Sequence, residues 1–470
     1  MKDIEKDELS DIISDESRIA FEPLEPRFLS DSLGRLKGRA DALVLPVSTK
    51  EVSQILRYAW EHEIPVTPRG AGTNLVGSTV PIEGGIILDL SRMNRILSLD
   101  KDTLTAEVEP GVFLKDFQAY VEGEGFFYPP DPGEKESTLG GNISTNAGGM
   151  RAVKYGVTRD YVRGLELVLA DGTILTVGSR NVKDASGLSL KNLIIGSEGT
   201  LAVITRCILK LLPKPETSLS VLVPFGSLLV GIRNVLSILK ANVNPTAVEF
   251  VERKVISLGE EFLGIQYPRP DAASYILLTF DGREEEVEVE ASANRAKELV
   301  MAQGALDYIV LRDKELSDGI WKVRGALVKA VEAVSQQEPV DIVVPIDKSS
   351  EFIDYVNQLE QEKNMQMICF GHAGDGNIHL CLVRGERDEE TWNRELKENM
   401  KLVYEKAFEL GGLTSGEHGI GLSKRPYFLS GTSSENLEVM NRIKEALDPK
   451  GILNYGKSYI TGGKEHAETV

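Results

Sequence analysis

Short β-branched runs separated by turns dominate residues 39–215: ALVLPV, IPVTP, GIILDL, LTAEVEP, LELVLADGTILTV and LAVITRCILKLL predict strands. Glycine-rich segments interrupt these strands, and Pro213 and Pro215 close the stretch. Over 216–420 the period changes. Strands SVLVPF, ASYILLTF and MQMICF alternate with helical segments such as LLVGIRNVLSILKA and 284–303, an α+β alternation that implies a second core. Residues 392–410 predict a long amphipathic helix closed by Gly411 and Gly412, and a C-terminal segment, 421–470, follows. Ahead of the first strand, 1–38 predict an acidic helical arm, with Leu9, Ile12, Ile13 and Ile19 as its apolar positions; it either docks or dangles. The acidic run Glu284–Glu290 stands at a helix start, where the helix dipole favours a solvated carboxylate face, and it receives no functional role.

A chain of 470 residues exceeds what one hydrophobic core serves, which agrees with the change of period. The 53 basic and 72 acidic residues leave a net charge of −19, so the chain repels phosphate backbones and anionic lipid, and no nucleic-acid or membrane-surface role is expected. Cys207, Cys369 and Cys381 form no CxxC group, which argues against an iron–sulfur cluster or a cysteine zinc site and for buried reduced thiols. The acidic N-terminus lacks the pattern of a secretory signal. The longest uncharged run, Thr217–Ile232, is short for a membrane span and carries Pro224 and Gly226. The expected setting is cytoplasmic.

Three glycine clusters carry the chemistry of the first half. PRGAGTNLVGS, Pro68–Ser78, follows an apolar strand, and its backbone amides suit a phosphate. Its glycines Gly70, Gly72 and Gly77 do not match GxGxxG, and a strand follows rather than a helix, so nicotinamide binding by the Rossmann route is not expected. PPDPGEKESTLGGNISTNAGG, Pro129–Gly149, offers small side chains that let backbone donors approach a bulky anion. IGSEGTLAVIT places Glu198 between glycines before a strand. Each loop alone reads as an ordinary turn; the three in order do not.

Of five histidines, His372, His379 and His418 sit in FGHAGDGNIHLCLV and TSGEHGIGL. Two apolar strands flank AGDGN, and a two-residue turn at Asp375-Gly376 sets Gly374 opposite Asn377 and His372 directly opposite His379. Opposed side chains converge closely enough to share one metal ion. Glu417 completes a two-histidine, one-carboxylate set with open positions, suited to zinc, iron(II) or manganese. Neutral core histidines are the competing reading for either residue alone. His418, beside Glu417, suits proton abstraction. Arg324 lies on a helix among apolar positions, and such an arginine is as often a surface salt bridge as a carboxylate clamp.

Together the three glycine stretches, with YGVTRDYVRGLELVLADG before the last, resemble the FAD-binding domain of the vanillyl-alcohol oxidase and p-cresol methylhydroxylase (PCMH) superfamily. With GHAGDGNIH, SGEHGIG and LDPKGILNYGK the chain, over 39–460, is similar to the branch of D-2-hydroxyacid dehydrogenases that includes D-lactate dehydrogenases, the D subunit of glycolate oxidase and D-2-hydroxyglutarate dehydrogenase. The resemblance implies an α+β fold: a PCMH-type two-subdomain FAD-binding domain (39–215), a substrate or cap domain with an antiparallel sheet and flanking helices (216–420), and a return to the flavin domain (421–470). It implies FAD held by Pro68, Arg69, Gly70, Ala71, Gly72, Thr73, Asn74, Gly77 and Ser78 around the pyrophosphate. Asp131, Thr138, Gly141, Ser144, Thr145, Glu198 and Ile204 follow along the rest, with Asn454 near the flavin. Thr73 stands where covalently flavinylated members carry histidine, implying non-covalent FAD. By the same resemblance His372, His379 and Glu417 bind one divalent metal, His418 is the base, and Arg324 holds the substrate carboxylate. Hydroxyglutarate-type members carry a basic residue at the place of Pro339 and asparagine at that of Cys381, so the departures point to a short monocarboxylate such as D-lactate.

The expected reaction is metal-assisted oxidation of a 2-hydroxy acid to the 2-oxo acid with hydride transfer to flavin. A glycolate or D-2-hydroxyglutarate substrate, a non-redox transferase of the same fold, and a non-catalytic flavin-binding electron-transfer protein are the rivals; the histidine–glutamate cluster is superfluous to the last. With no cluster cysteines and no nicotinamide fingerprint of its own, the chain is expected to pass electrons to a partner protein. The resemblance implies electron-transfer flavoprotein as one partner type, in an electron-bifurcating complex among other settings, with residues 1–38 as a candidate docking segment. A homo-oligomer is compatible with all of this.

Overall fold

The computed structural model describes residues 4, 6–282 and 286–459. The chain divides into two compact units: Met1–Ala147 with Val157–Lys214 and Glu417–Val470, and Gly148–Gly156 with Pro215–Gly416.

In the first unit the strand Ile86–Asp89 lies between Ala42–Val44 and Val66–Arg69 and runs parallel to both. All four of its residues are buried, as the apolar run Ile86–Leu88 predicts for a parallel strand covered on both faces. The helix Thr49–His62 makes the crossover, capped by Ser48 and burying Val52, Ile55, Leu56 and Ala59, one stripe at helical spacing. A second, antiparallel sheet has the order Ile96–Asp100, Thr105–Val108, Val203–Lys210, Val162–Val168, Ile174–Gly178. These two sheets are the two-subdomain arrangement expected.

The N-terminal residues are not a separate arm. The helix Lys6–Ile12 buries Leu9 completely, and Leu9 and Ile13 join the core of Val52, Ile55 and Leu56. The strand Ile19–Phe21 then adds antiparallel to Ala42–Val44 as the sheet edge. A seven-residue helix is marginal alone, so its apolar stripe is stable only under cover, and its own unit supplies that cover. The C-terminal segment also joins this unit, where the Val66 N–H donates to Ile452 O and the Asn454 N–H to Val66 O, both at 2.8 Å.

The second unit is built on a seven-stranded sheet, antiparallel throughout, in the order Ile309–Val310, Thr217–Phe225, Ser274–Gly282, Ala247–Glu252, Met367–His372, Asn377–Val383, Gln337–Val343. The helices Arg253–Leu263 and Lys314–Val334 cover one face, where Ile320, Val323, Leu327 and Val331 meet Leu277, Ile368, Phe370 and Cys381. Val248, Phe250, Ile276 and Leu278 alternate with these residues and are buried too, so both faces are covered. The helix Glu286–Ala302 fits the expected one; residues 284 and 285 of the acidic run lie outside the described residues. Among the described residues, no helix is long and apolar enough to cross a membrane.

Because Leu9 is fully buried, Leu9→Ala should destabilise the first unit by about 2–5 kcal/mol, read as a lowered thermal midpoint of the FAD-loaded protein. An unchanged midpoint would show the N-terminal helix to be dispensable.

Candidate functional site

The histidine hairpin forms in a register different from the one its Asp-Gly pair suggests. His372 pairs with Asn377 and Phe370 with His379, so the loop is Ala373–Gly376 and the two histidines are diagonal rather than opposed. The loop is drawn sideways by its neighbours. The Gly374 N–H donates to Val248 O at 3.2 Å, Gly376 O accepts from the Val344 N–H at 3.1 Å, and Asp375 Oδ1 caps the Asn377 N–H at 3.1 Å. Both histidines still project from one face, with ring centroids 5.0 Å apart and Nε2 atoms 3.4 Å apart. Two nitrogens bound to one metal at about 2.0–2.1 Å lie about 3.3 Å apart at a tetrahedral angle and about 2.9 Å apart at a right angle. The observed spacing fits that pair better than a good ring-to-ring hydrogen bond.

Glu249, on the adjacent strand, pairs in register with His372 and is fully buried. Its Oε1 lies 2.6 Å from His372 Nδ1. Its Oε2 accepts from Arg324 Nε at 2.8 Å and, in a very short contact, from Nη2. Burial opposes the Glu249 charge, yet the Arg324 charge and the hydrogen bonds with His372 and Arg324 outweigh it and hold the carboxyl at about 2. Arg324 is therefore not a surface salt bridge: it is the buried partner of Glu249, packed over the Phe370 ring at 5.3 Å. Its Nη1 has no hydrogen-bond partner among the described residues, and that edge suits an incoming carboxylate.

A second buried carboxylate, Asp341, pairs in register with His379. It accepts from Asn377 Nδ2 at 2.6 Å and from Ser415 Oγ at 2.7 Å. The chain then runs so tightly past Asn377 that a Cβ on Gly416 would come within 2.3 Å of the Asn377 amide. Glu417 is the next residue, the first of the segment that returns to the first unit.

In the first unit, Pro68 and Arg69 end the strand Val66–Arg69 and the Gly70–Ser78 loop follows. Asn74 Oδ1 accepts from the Val76 and Ser78 N–H groups, while the N–H groups of Ala71, Gly72, Thr73 and Asn74 donate no hydrogen bond among the described residues. A Cβ on Gly70 would fall 2.2 Å from Thr138 Oγ1, so the first two glycine clusters abut. Thr138 caps the helix Leu139–Thr145, which carries Gly141, Ser144 and Thr145. The unused amides and small side chains fit the diphosphate of a flavin dinucleotide. Gly77 and Ser78 lie at the loop's end. Ile204 is buried on Val203–Lys210, and Asp131 pairs with Lys135.

The Glu198 side chain acts inside the protein rather than as an open ligand. Its two oxygens accept from Ser78 Oγ at 2.5 Å and from the Ile420 and Gly421 N–H groups, each at 2.9 Å. Asn74 Nδ2 donates to His418 O at 3.0 Å, so two loop residues hold the segment that carries His418. Asn454 Nδ2 donates to Ser78 O and Glu198 O, and its Oδ1 accepts from Lys457 Nζ at 2.5 Å.

Glu249, Asp341 and Lys457 have no place among the sequence-derived site residues. The signal for Glu249 is a charge between apolar neighbours in the buried strand AVEFVE, that for Asp341 a lone charge in DIVVP, and that for Lys457 its position in the glycine-flanked NYGK.

Two families match the chain: "FAD binding domain" over residues 40–178 and "FAD linked oxidases, C-terminal domain" over 214–458. A D-lactate dehydrogenase of Anaerostipes hadrus is 43% identical over 427 residues, 90% of each chain. Glycolate oxidase subunit GlcD of Bacillus subtilis (strain 168) is 37% identical over 440 residues, 93% of this chain and 92% of the relative. The structure of p-cresol methylhydroxylase with substrate bound superposes with a TM-score of 0.78 at 15% identity, covering 97% of this chain and 96% of that one, a likeness of fold.

Lys457 is buried, which pushes its ammonium down to about 7 against the partial support of the Glu198 charge. Between pH 7 and the ordinary lysine value of 10.5 the unfolded chain therefore keeps a proton that the folded one has lost, and this residue's contribution to stability rises with pH across that window. The thermal midpoint of the flavin-free protein, followed over that range, should climb more steeply for wild type than for Lys457→Met. Parallel curves would contradict the assignment.

Proposed function

The chain belongs to the FAD-linked oxidases, and on that premise we propose that it oxidises a short 2-hydroxy acid, D-lactate before glycolate or D-2-hydroxyglutarate, to the 2-oxo acid. The observation that carries the reading is the His372–His379 pair with its Nε2 atoms 3.4 Å apart, set beside the guanidinium of Arg324. In this reading His372, His379 and Glu417 hold one divalent metal, zinc, iron(II) or manganese, and leave positions open for substrate oxygens. When bound, the metal supplies a Lewis acid for the hydroxyl and carboxylate oxygens, and FAD supplies the two-electron acceptor. Arg324 meets the substrate carboxylate through Nη1. A ring nitrogen of His418 takes the proton from the substrate hydroxyl. The loop Pro68–Ser78 and the helix at Thr138 bind FAD, and with Thr73 in place of histidine they bind it without a covalent bond.

Pro339 and Cys381 pair across adjacent strands, two residues along from Asp341 and His379. Neither brings a positive charge to a distal carboxylate, which supports a monocarboxylate, as does the similarity to a D-lactate dehydrogenase. In this reading the electrons leave the flavin for an outside acceptor, a partner protein of the electron-transfer flavoprotein type.

Anaerobic mixing of the FAD- and metal-loaded protein with D-lactate, L-lactate, glycolate and D-2-hydroxyglutarate should bleach the flavin fastest with D-lactate; no bleaching by any of the four would overturn the reading. His372→Ala and His379→Ala should each lose metal and keep FAD, by metal analysis and flavin absorbance. His418→Asn should keep both and slow flavin reduction by about 10²–10⁴-fold. A His418 variant that reduces at the wild-type rate removes this histidine from the proton transfer.

A further inference from the structure

A histidine binds metal through whichever ring nitrogen lacks a proton, so a ring held in the right tautomer before the ion arrives binds it more tightly. For His372 the structure contains the device that sets it. The Glu249 carboxylate is acceptor-only, since Oε2 is taken by two guanidinium hydrogens of Arg324 and arginine stays protonated in proteins. Oε1, 2.6 Å from His372 Nδ1, therefore requires that Nδ1 carry the hydrogen. In the neutral ring that binds metal, this leaves the lone pair on Nε2, the atom 3.4 Å from Nε2 of His379.

The same carboxylate orients the guanidinium. With Nε and Nη2 committed to Oε2, the planar group has no freedom to turn about its stem, and Nη1 is the edge left for substrate. Phe370 flanks the assembly, with the guanidinium 5.3 Å from its ring centroid and the His379 ring 5.6 Å from it.

We propose that Glu249 is the positioning residue of this site, selecting the Nε2-binding tautomer of His372 with one oxygen and fixing the Nη1 edge of Arg324 with the other. The inference rests on the metal reading above. Glu249 touches neither ion nor substrate; it acts through the two residues that do.

The test measures metal affinity in the FAD-loaded protein by competition of Zn²⁺ or Mn²⁺ with a chelator of known affinity, flavin content serving as the control for folding. Glu249→Gln should bind metal about 10–100-fold more weakly than wild type with flavin content unchanged. In a His372→Ala background the same substitution should change the residual affinity less than about twofold, because its route to the ion is already gone; a general loosening of the site would lower affinity in both backgrounds. If Glu249→Gln yields no folded protein, Glu249→Asp carries the same expectation, since it keeps the charge that Arg324 pairs with but is one methylene too short to serve both partners. Wild-type affinity in the substituted protein, or equal losses with and without His372, overturns the assignment while leaving the metal site standing. A wild-type protein that binds neither ion overturns the metal reading itself.

Discussion

An ionised carboxylate with no exposed surface has to be compensated where it stands, and Glu249 is that constraint in the second unit. It lies on a sheet face whose neighbouring positions are Val251, Phe370 and Ile368, under a helix whose buried stripe is otherwise apolar. Removing one partner of a buried pair commonly costs about 3–5 kcal/mol because the other charge is left unpaired. Glu249 and Arg324 thus hold each other in place, and His372 occupies the remaining oxygen. The helix Lys314–Val334 and the strands Ala247–Glu252 and Met367–His372 are tied at this point by charge, and along the rest of their length by Ile320, Val323 and Leu327.

The first unit uses a carboxylate in a related way. Glu198 accepts from Ser78, Ile420 and Gly421, so a loop from early in the chain and one from late in it share a single anion. Asn454 repeats the device with an amide, bridging Ser78 and Glu198 through their carbonyls. The consequence is that the segment after His418 is positioned by the same loops whose open amides suit a diphosphate.

Much of this is legible in the chain before folding. The strands GIILDL and LAVITRCILKLL form where their runs lie. The helix Thr49–His62 is missing from the strand-by-strand expectation although Ser48, Glu51 and the stripe Val52, Ile55, Leu56 announce it, because the flanking β-branched runs dominate that region. The hairpin shows what local rules miss: Asp-Gly favours a two-residue turn, and hydrogen bonds to Val248 and Val344 impose a longer loop. The histidines still share a face because the shift is by two residues and the side-chain period in a strand is two. Glu249 and Asp341 escape notice for a related reason: an acid between apolar neighbours in a strand means nothing until its cross-strand partner is known.

The central claim, that His372 and His379 bind one metal through Nε2 and present it to a 2-hydroxy acid, is tested most directly by X-ray absorption at the metal edge of the FAD-loaded protein. The account predicts two imidazole nitrogens at about 2.0–2.1 Å and, with the flavin already reduced so that no turnover follows, a changed oxygen shell on adding D-lactate. A shell without imidazole, or one that D-lactate leaves untouched, would contradict it.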